Sequence, residues 1–155
     1  MKLLSFVALT GLLISEGAAA ANQAKPAGGG RTIEITGTDT MKFSVTAIQA
    51  KPGEKLRVVL ITVSKMPKIA MAHNFVVLKK DAKVDAFIQA AALARTTDFI
   101  PPAQKDDVLA ATGLAGANEK VEVTFEAPKV RGAYPFVCSF PGHYALGMKG
   151  TLTVK

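Results

Sequence analysis

The sequence predicts an all-β protein, a Greek-key β-sandwich or barrel with one short inserted helix. Short segments of alternating apolar and polar residues recur from residue 32 to the C-terminus, turn-forming Pro and Gly separate them, and a single segment carries helical spacing. With 155 residues, 49% of them apolar, the chain has enough material for one domain with a substantial core and too little for two comfortable ones.

Residues 1–21 read as an export signal rather than as part of the fold. Lys2 gives a positive start, LLSFVALTGLLI an apolar run, and GAAAA a small-residue region with cleavage sites after Ala20 or Ala21. The run is shorter than the ~20 apolar residues of a bilayer span, and Gly11 interrupts it, so a cleaved signal is favoured over a retained membrane anchor. The mature protein is therefore expected in the periplasm or outside the cell. Residues 22–31, NQAKPAGGGR, lack periodicity and read as a flexible leader, which leaves residues 32–155 as the folded domain.

Within that domain, Ile33 and Ile35, then Met41, Phe43, Val45 and Ala47, alternate with polar neighbours as half-buried strands do. Lys51-Pro52-Gly53-Glu54 suits a type II turn, with Pro and Gly at its two central positions. LRVVLITV, a denser apolar run, follows as a more central strand. Phe75 to Leu78, Val108 to Thr112, Val121 to Phe125, Tyr134 to Cys138 and Met148 to Val154 supply the remaining strands. Between them, Val84, Phe87, Ile88 and Ala91 fall at helical spacing with Asp81 as candidate N-cap, and Ile100-Pro101-Pro102 forbids any continuation.

Charge and cysteine count narrow the function. The chain carries a net charge of +7, a balance that favours acidic partners without identifying one, and no nucleic-acid binding is expected. Cys138 is the only cysteine, so no internal disulfide can form, and an exported thiol needs either a task or a shield from oxidants.

Cys138 lies in CSFPGHYALGMKGTLTVK, with His143 five residues on and Met148 five beyond that. If the last two strands are neighbours, period two puts Tyr134, Phe136 and Cys138 on one inward face and Met148, Gly150, Leu152 and Val154 on the other. Pro141-Gly142 then turns the loop and presents His143 between them. The other histidine, His73 in MAHNFVV, precedes a strand and can reach the same end. Taken singly, each of these residues is more often core filler or an ordinary hydrogen-bonded side chain. Together they bring every His and Cys of the chain to one place, with sulfur and imidazole donors that suit copper in both oxidation states. Zinc competes for the same donors, but structural zinc favours several thiolates and rarely takes a thioether.

The C-terminal stretch resembles the copper loop and last strand of azurins, AHN resembles their first-ligand motif, and TIEITGTDTMKF resembles their first strands, so the likeness runs from about Thr32 to Lys155. The family it points to is the azurin/auracyanin-like cupredoxins, type 1 blue copper proteins. The resemblance implies one type 1 copper ion held equatorially by His73, Cys138 and His143 and weakly along the axis by Met148. It further implies that Asn74 bonds to the cysteine loop near Ser139 and that the backbone N–H of Phe140 is directed at the Cys138 sulfur. The Ala72 carbonyl stands where azurins have a glycine carbonyl on the opposite axial side. Gly147, inserted before Met148, departs from the azurin loop and is similar to the auracyanin variant.

The function implied is transfer of single electrons between redox partners, such as cytochromes or reductases, that dock near His143. The outer edge of His143 is expected at the surface, ringed by apolar loop residues such as Ala145 and Leu146, with Met41 and Met71 either joining that ring or packing in the core. With no carboxylate or serine paired to a histidine for hydrolysis, no enzyme is expected. The competing reading is a periplasmic protein that binds or delivers copper without carrying electrons.

Overall fold

In the computed structural model, residues 30–155 are described, and the segments expected from the sequence to be an export signal and most of a leader lie outside them. Among the described residues, eight strands form two sheets. β1 (Arg31–Thr38), β3 (Lys55–Val63) and β6 (Lys120–Glu126) make one, in the order β1-β3-β6. β2 (Ala47–Ala50), β4 (Val76–Leu78), β5 (Val108–Ala111), β7 (Gly132–Val137) and β8 (Lys149–Val154) make the other, in the order β2-β8-β7-β4-β5. The β1/β3 and β2/β8 pairs are parallel and the rest antiparallel. This is the expected all-β sandwich with one short helix, α1 (Val84–Ala91).

The alternation from Met41 to Ala47 does not mark a continuous strand. The chain reverses there instead: Met41, with φ of 56°, donates its N–H to the Thr38 carbonyl at 2.8 Å, and Phe43 bridges back to Gly37. Burial still alternates, with Phe43 inside and Lys42 and Ser44 outside, because the reversal lies against the core without joining a ladder. At the next turn, Glu54 donates its N–H to the Lys51 carbonyl at 3.0 Å and Gly53 takes φ of 73°, the type II geometry expected.

Inward residues of both sheets meet in the main core. Leu56, Val58 and Leu60 of β3 face Tyr134 and Phe136 of β7 and Leu152 and Val154 of β8 within one cluster. Phe43, Phe75 and Phe136 form its aromatic centre, with ring centroids 5.0 to 6.3 Å apart. A second cluster lies on the outer face of the five-stranded sheet, where Phe87 and Ala91 of α1 cover Val76, Leu78 and Val137. The helix begins after Lys83 with no side-chain cap, so Asp81 is not its N-cap. That aspartate is spent in the preceding turn, closed by the Ala82 N–H on the Lys79 carbonyl.

Candidate metal centre

Strands β7 and β8 place two of the predicted residues directly. Their antiparallel ladder ends at Val137 opposite Lys149, and the Cys138 N–H continues it to the Met148 carbonyl at 3.0 Å. The loop between them is tied to itself. The Met148 N–H donates to the His143 carbonyl at 3.0 Å, and the Gly147 N–H to that of Tyr144 at 2.9 Å. Gly147 sits at φ of 97°, which a side chain resists, and the Lys42 ammonium lies against it while bonding the Leu146 carbonyl.

His73 arrives from the segment before β4. A two-way bridge with Ala115, at 3.0 and 2.8 Å, fixes its backbone. Asn74, fully buried, then locks this segment to the cysteine loop: its Nδ2 donates to Ser139 Oγ at 2.8 Å and its Oδ1 accepts the Ser139 N–H at 2.8 Å. Ala72, also fully buried, leads into the histidine from the other side.

These supports bring the donors together. His73 Nδ1 lies 3.1 Å from His143 Nδ1, which lies 3.5 Å from Cys138 Sγ, and the three donor atoms all fall within 4.8 Å of one another. Bonds of ~2.0–2.1 Å to nitrogen and ~2.3 Å to sulfur, lengths known for zinc, would span the 3.1 and 3.5 Å separations at angles of about 95–110°. The spacing therefore fits a single ion of that size. Met148 closes the group, because its terminal methyl and the His73 ring crowd the same spot at Gly37. His73, Cys138 and Met148 have no exposed surface, and His143 is 2% exposed.

Burial dominates the electrostatics. It pushes the Cys138 thiol up to about 12, opposed in part by the backbone N–H groups of Asn74 and Phe140. It draws His143 down to about 4, with the nearby His73 adding to the effect. His73 is lowered as well, against the pull of the Asp39 carboxylate and the Thr38 carbonyl. Burial thus favours neutral imidazoles beside a protonated thiol. A cation there would take the place of the proton shared between the two Nδ1 atoms and of the proton on sulfur.

The surroundings of His143 differ from expectation. The residue is only 2% exposed, with the Phe140 ring packed on its ring at 4.8 Å between centroids and Phe99 backing Phe140 at 5.1 Å, so little of it reaches the surface. Met71 is interior, 3% exposed, and forms no part of a surface ring; Met41 is half-buried, while Ala145 and Leu146 are exposed. Beside Phe140 lies a cleft of about 440 Å³ with Leu114 and Pro141 in its lining and Lys68 and Arg95 among its cations. Sequence reasoning missed Ala115, which carries no signal of its role, and Gly37, whose place inside a strand was the available clue.

A family model described as copper binding proteins, plastocyanin/azurin family, matches residues 31–155. The azurin of Pseudomonas aeruginosa is 37% identical over 129 residues, covering 80% of this chain and 84% of that protein. Auracyanin-B of Chloroflexus aurantiacus is 33% identical over 126 residues; the match covers 80% of this chain but spans only about half, 52%, of the auracyanin. Among solved structures, dithionite-reduced auracyanin from Roseiflexus castenholzii superposes with a TM-score of 0.71 at 32% identity, covering 83% of this chain and 99% of that one.

Proposed function

Because the chain belongs to the copper binding proteins of the plastocyanin/azurin family, we propose that it carries single electrons between redox partners through one type 1 copper ion. The observation that carries this reading is the enclosed convergence of His73, Cys138, His143 and Met148. His73, Cys138, His143 and Met148 would hold the ion, through two imidazole nitrogens, a thiolate and a thioether. When bound, copper supplies the one-electron Cu(II)/Cu(I) couple.

The protein's own part is to keep the donors still. Cys138 and Met148 are joined by a backbone hydrogen bond, His143 is bonded to Met148, and Asn74 ties the His73 segment to Ser139. Ligands held this way change little with the charge on the ion, which keeps the reorganisation cost of electron transfer low. The backbone N–H groups of Asn74 and Phe140 favour the thiolate form of Cys138 and so support metal binding. Full burial also leaves no open position for a substrate, in keeping with an electron carrier rather than an enzyme.

Partners such as cytochromes or reductases dock over Phe140 and the exposed Leu146, next to His143. Lys68 and Arg95 beside the cleft favour an acidic contact. The protein works in the periplasm or outside the cell, as residues 1–21 imply; no described helix is long and apolar enough to cross a membrane.

The deciding experiment adds Cu(II) to the purified mature protein and records its visible spectrum and voltammetry, alongside Cys138→Ser. Intense visible absorption with reversible one-electron cycling, lost in the variant, is expected. Absence of copper uptake by the wild type, or an unchanged band in Cys138→Ser, sinks the proposal. Uptake without reversible cycling would favour copper delivery instead.

A further inference from the structure

We infer that Gly37 is a positioning residue for the metal centre: its missing side chain is the space in which the His73 ring and the Met148 methyl sit, and it sets where imidazole and thioether stand. The inference rests on the copper reading above and adds to it a residue from a third part of the chain. Gly37 lies next to last in β1, paired with Thr62 of β3 and bridged to Phe43.

Glycine at such a place needs a reason, since inside a strand it costs roughly 0.5–1 kcal/mol relative to Ala. Backbone conformation does not supply one, because Gly37 is not among the positive-φ residues. Contact does. A Cβ at Gly37 would lie 2.8 Å from His73 Cδ2, 2.8 Å from Met148 Cε and 3.0 Å from His73 Cγ, well inside the ~3.5–4.0 Å at which carbon atoms normally rest.

The two neighbours differ in how they can give. The His73 ring is rigid, its backbone is bridged to Ala115 and it is fully buried, whereas the Met148 methyl is the end of a flexible chain that can yield only by moving the thioether within a close-packed interior. A methyl at position 37 must therefore displace the ring, the thioether or both from their present places. The axial sulfur is a principal determinant of the potential of such a site, so the push has a redox consequence. By contrast, a Cβ at Gly113 would meet only Asp98 Oδ2 at 3.6 Å, an ordinary contact.

The test uses Gly37→Ala, with Gly113→Ala as control, in two states. In the copper-free protein labelled with ¹³C-methyl methionine, the wild type should show nuclear Overhauser contacts from the Gly37 α-protons to the Met148 methyl and to His73 Hδ2. Gly37→Ala should move the Met148 methyl resonance and leave that of the exposed Met66 in place. In the copper-loaded protein, Gly37→Ala should alter the ratio of the visible charge-transfer bands, shift the midpoint potential and weaken copper binding about tenfold, while Gly113→Ala changes none of these.

A folded Gly37→Ala protein with the wild-type methyl shift, spectrum and potential overturns the inference. If Gly37→Ala does not fold, Gly37→Ala combined with His73→Ala and Met148→Ala, which clears all three contacts, decides: recovery of the fold supports crowding at this spot, and continued failure, with the His73→Ala/Met148→Ala protein itself folded, overturns it. Failure of the wild type to take up copper sinks the copper reading. An unchanged Gly37→Ala protein, in a background where the wild type does take it up, sinks this inference alone.

Discussion

Replacing Asn74 with Ala removes the clamp that joins the His73 segment to the cysteine loop. The fully buried amide makes three hydrogen bonds: Nδ2 to Ser139 Oγ at 2.8 Å, Nδ2 to the Asp98 carbonyl at 2.9 Å, and Oδ1 from the Ser139 N–H at 2.8 Å. Each such bond is worth ~0.5–1.5 kcal/mol net, and an orphaned buried donor such as the Ser139 N–H costs ~1–3 kcal/mol, so the loss should be about 3 kcal/mol. That is a large part of the ~5–15 kcal/mol by which domains are stable. The midpoint of thermal unfolding should fall by about 10 °C for a domain of this size. Ser139→Ala is the internal control, because it loses only the Oγ contact while its N–H still reaches Asn74 Oδ1, and about 1 kcal/mol is expected. Urea unfolding of the copper-free variants measures both. A loss under ~1 kcal/mol for Asn74→Ala, or equal losses for the two variants, would refute the clamp.

Other expectations follow from the same geometry. Gly147→Ala forces a side chain into φ of 97° and against the Lys42 ammonium, and should cost roughly 1–3 kcal/mol by urea unfolding; adding Lys42→Ala should recover only part, since the backbone strain remains. His143 is held at about 4 rather than 6.5, and His73 is also lowered, so the folded copper-free protein binds fewer protons than the unfolded chain. Its stability should therefore be full above pH ~6.5 and fall as the pH drops toward 4, by on the order of 2–3 kcal/mol; a urea midpoint flat across that window would contradict the burial of neutral imidazoles. Because the Cys138 thiol is pushed up to about 12 and must ionise to bind metal, apparent copper affinity should rise about tenfold per pH unit between roughly pH 6.5 and 8, and a pH-independent affinity by competitive titration would exclude a thiolate ligand.

Most of this architecture was legible because strand period and turn chemistry are local. Lys51 to Glu54 declared its turn through Pro52 and Gly53, and Tyr134, Phe136 and Cys138 declared their common face through alternation alone. Met41 to Ala47 misled for the same reason: alternation reports which residues face the core, and a reversal packed on the core alternates as a strand does. Asp81 misled because a residue suited to capping is equally suited to a turn. The donors were legible as residue types of rare chemistry. Their supports were not, since Ala115 acts through its backbone and Gly37 through an absence, and neither leaves a trace in composition. The covering of His143 depends on Phe99 and Phe140 stacking across the fold, a pairing no local pattern encodes.

The backbone bonds within the cysteine loop carry one last consequence. Cys138 is bound to Met148 and Met148 to His143, so the two ends and the middle of the loop are registered to one another. The span from Tyr144 to Gly147 closes a turn of its own, with the Leu146 N–H on the Gly142 carbonyl at 3.2 Å and the Gly147 N–H on the Tyr144 carbonyl at 2.9 Å. None of the bonds that join Cys138, His143 and Met148 starts or ends in that turn, so a change in its length would leave those bonds closed. The span from Ser139 to Pro141 has no such slack, because Asn74 grips Ser139 at its start. The loop is a cassette with one adjustable side, and diversification or engineering of this centre has its room between His143 and Met148.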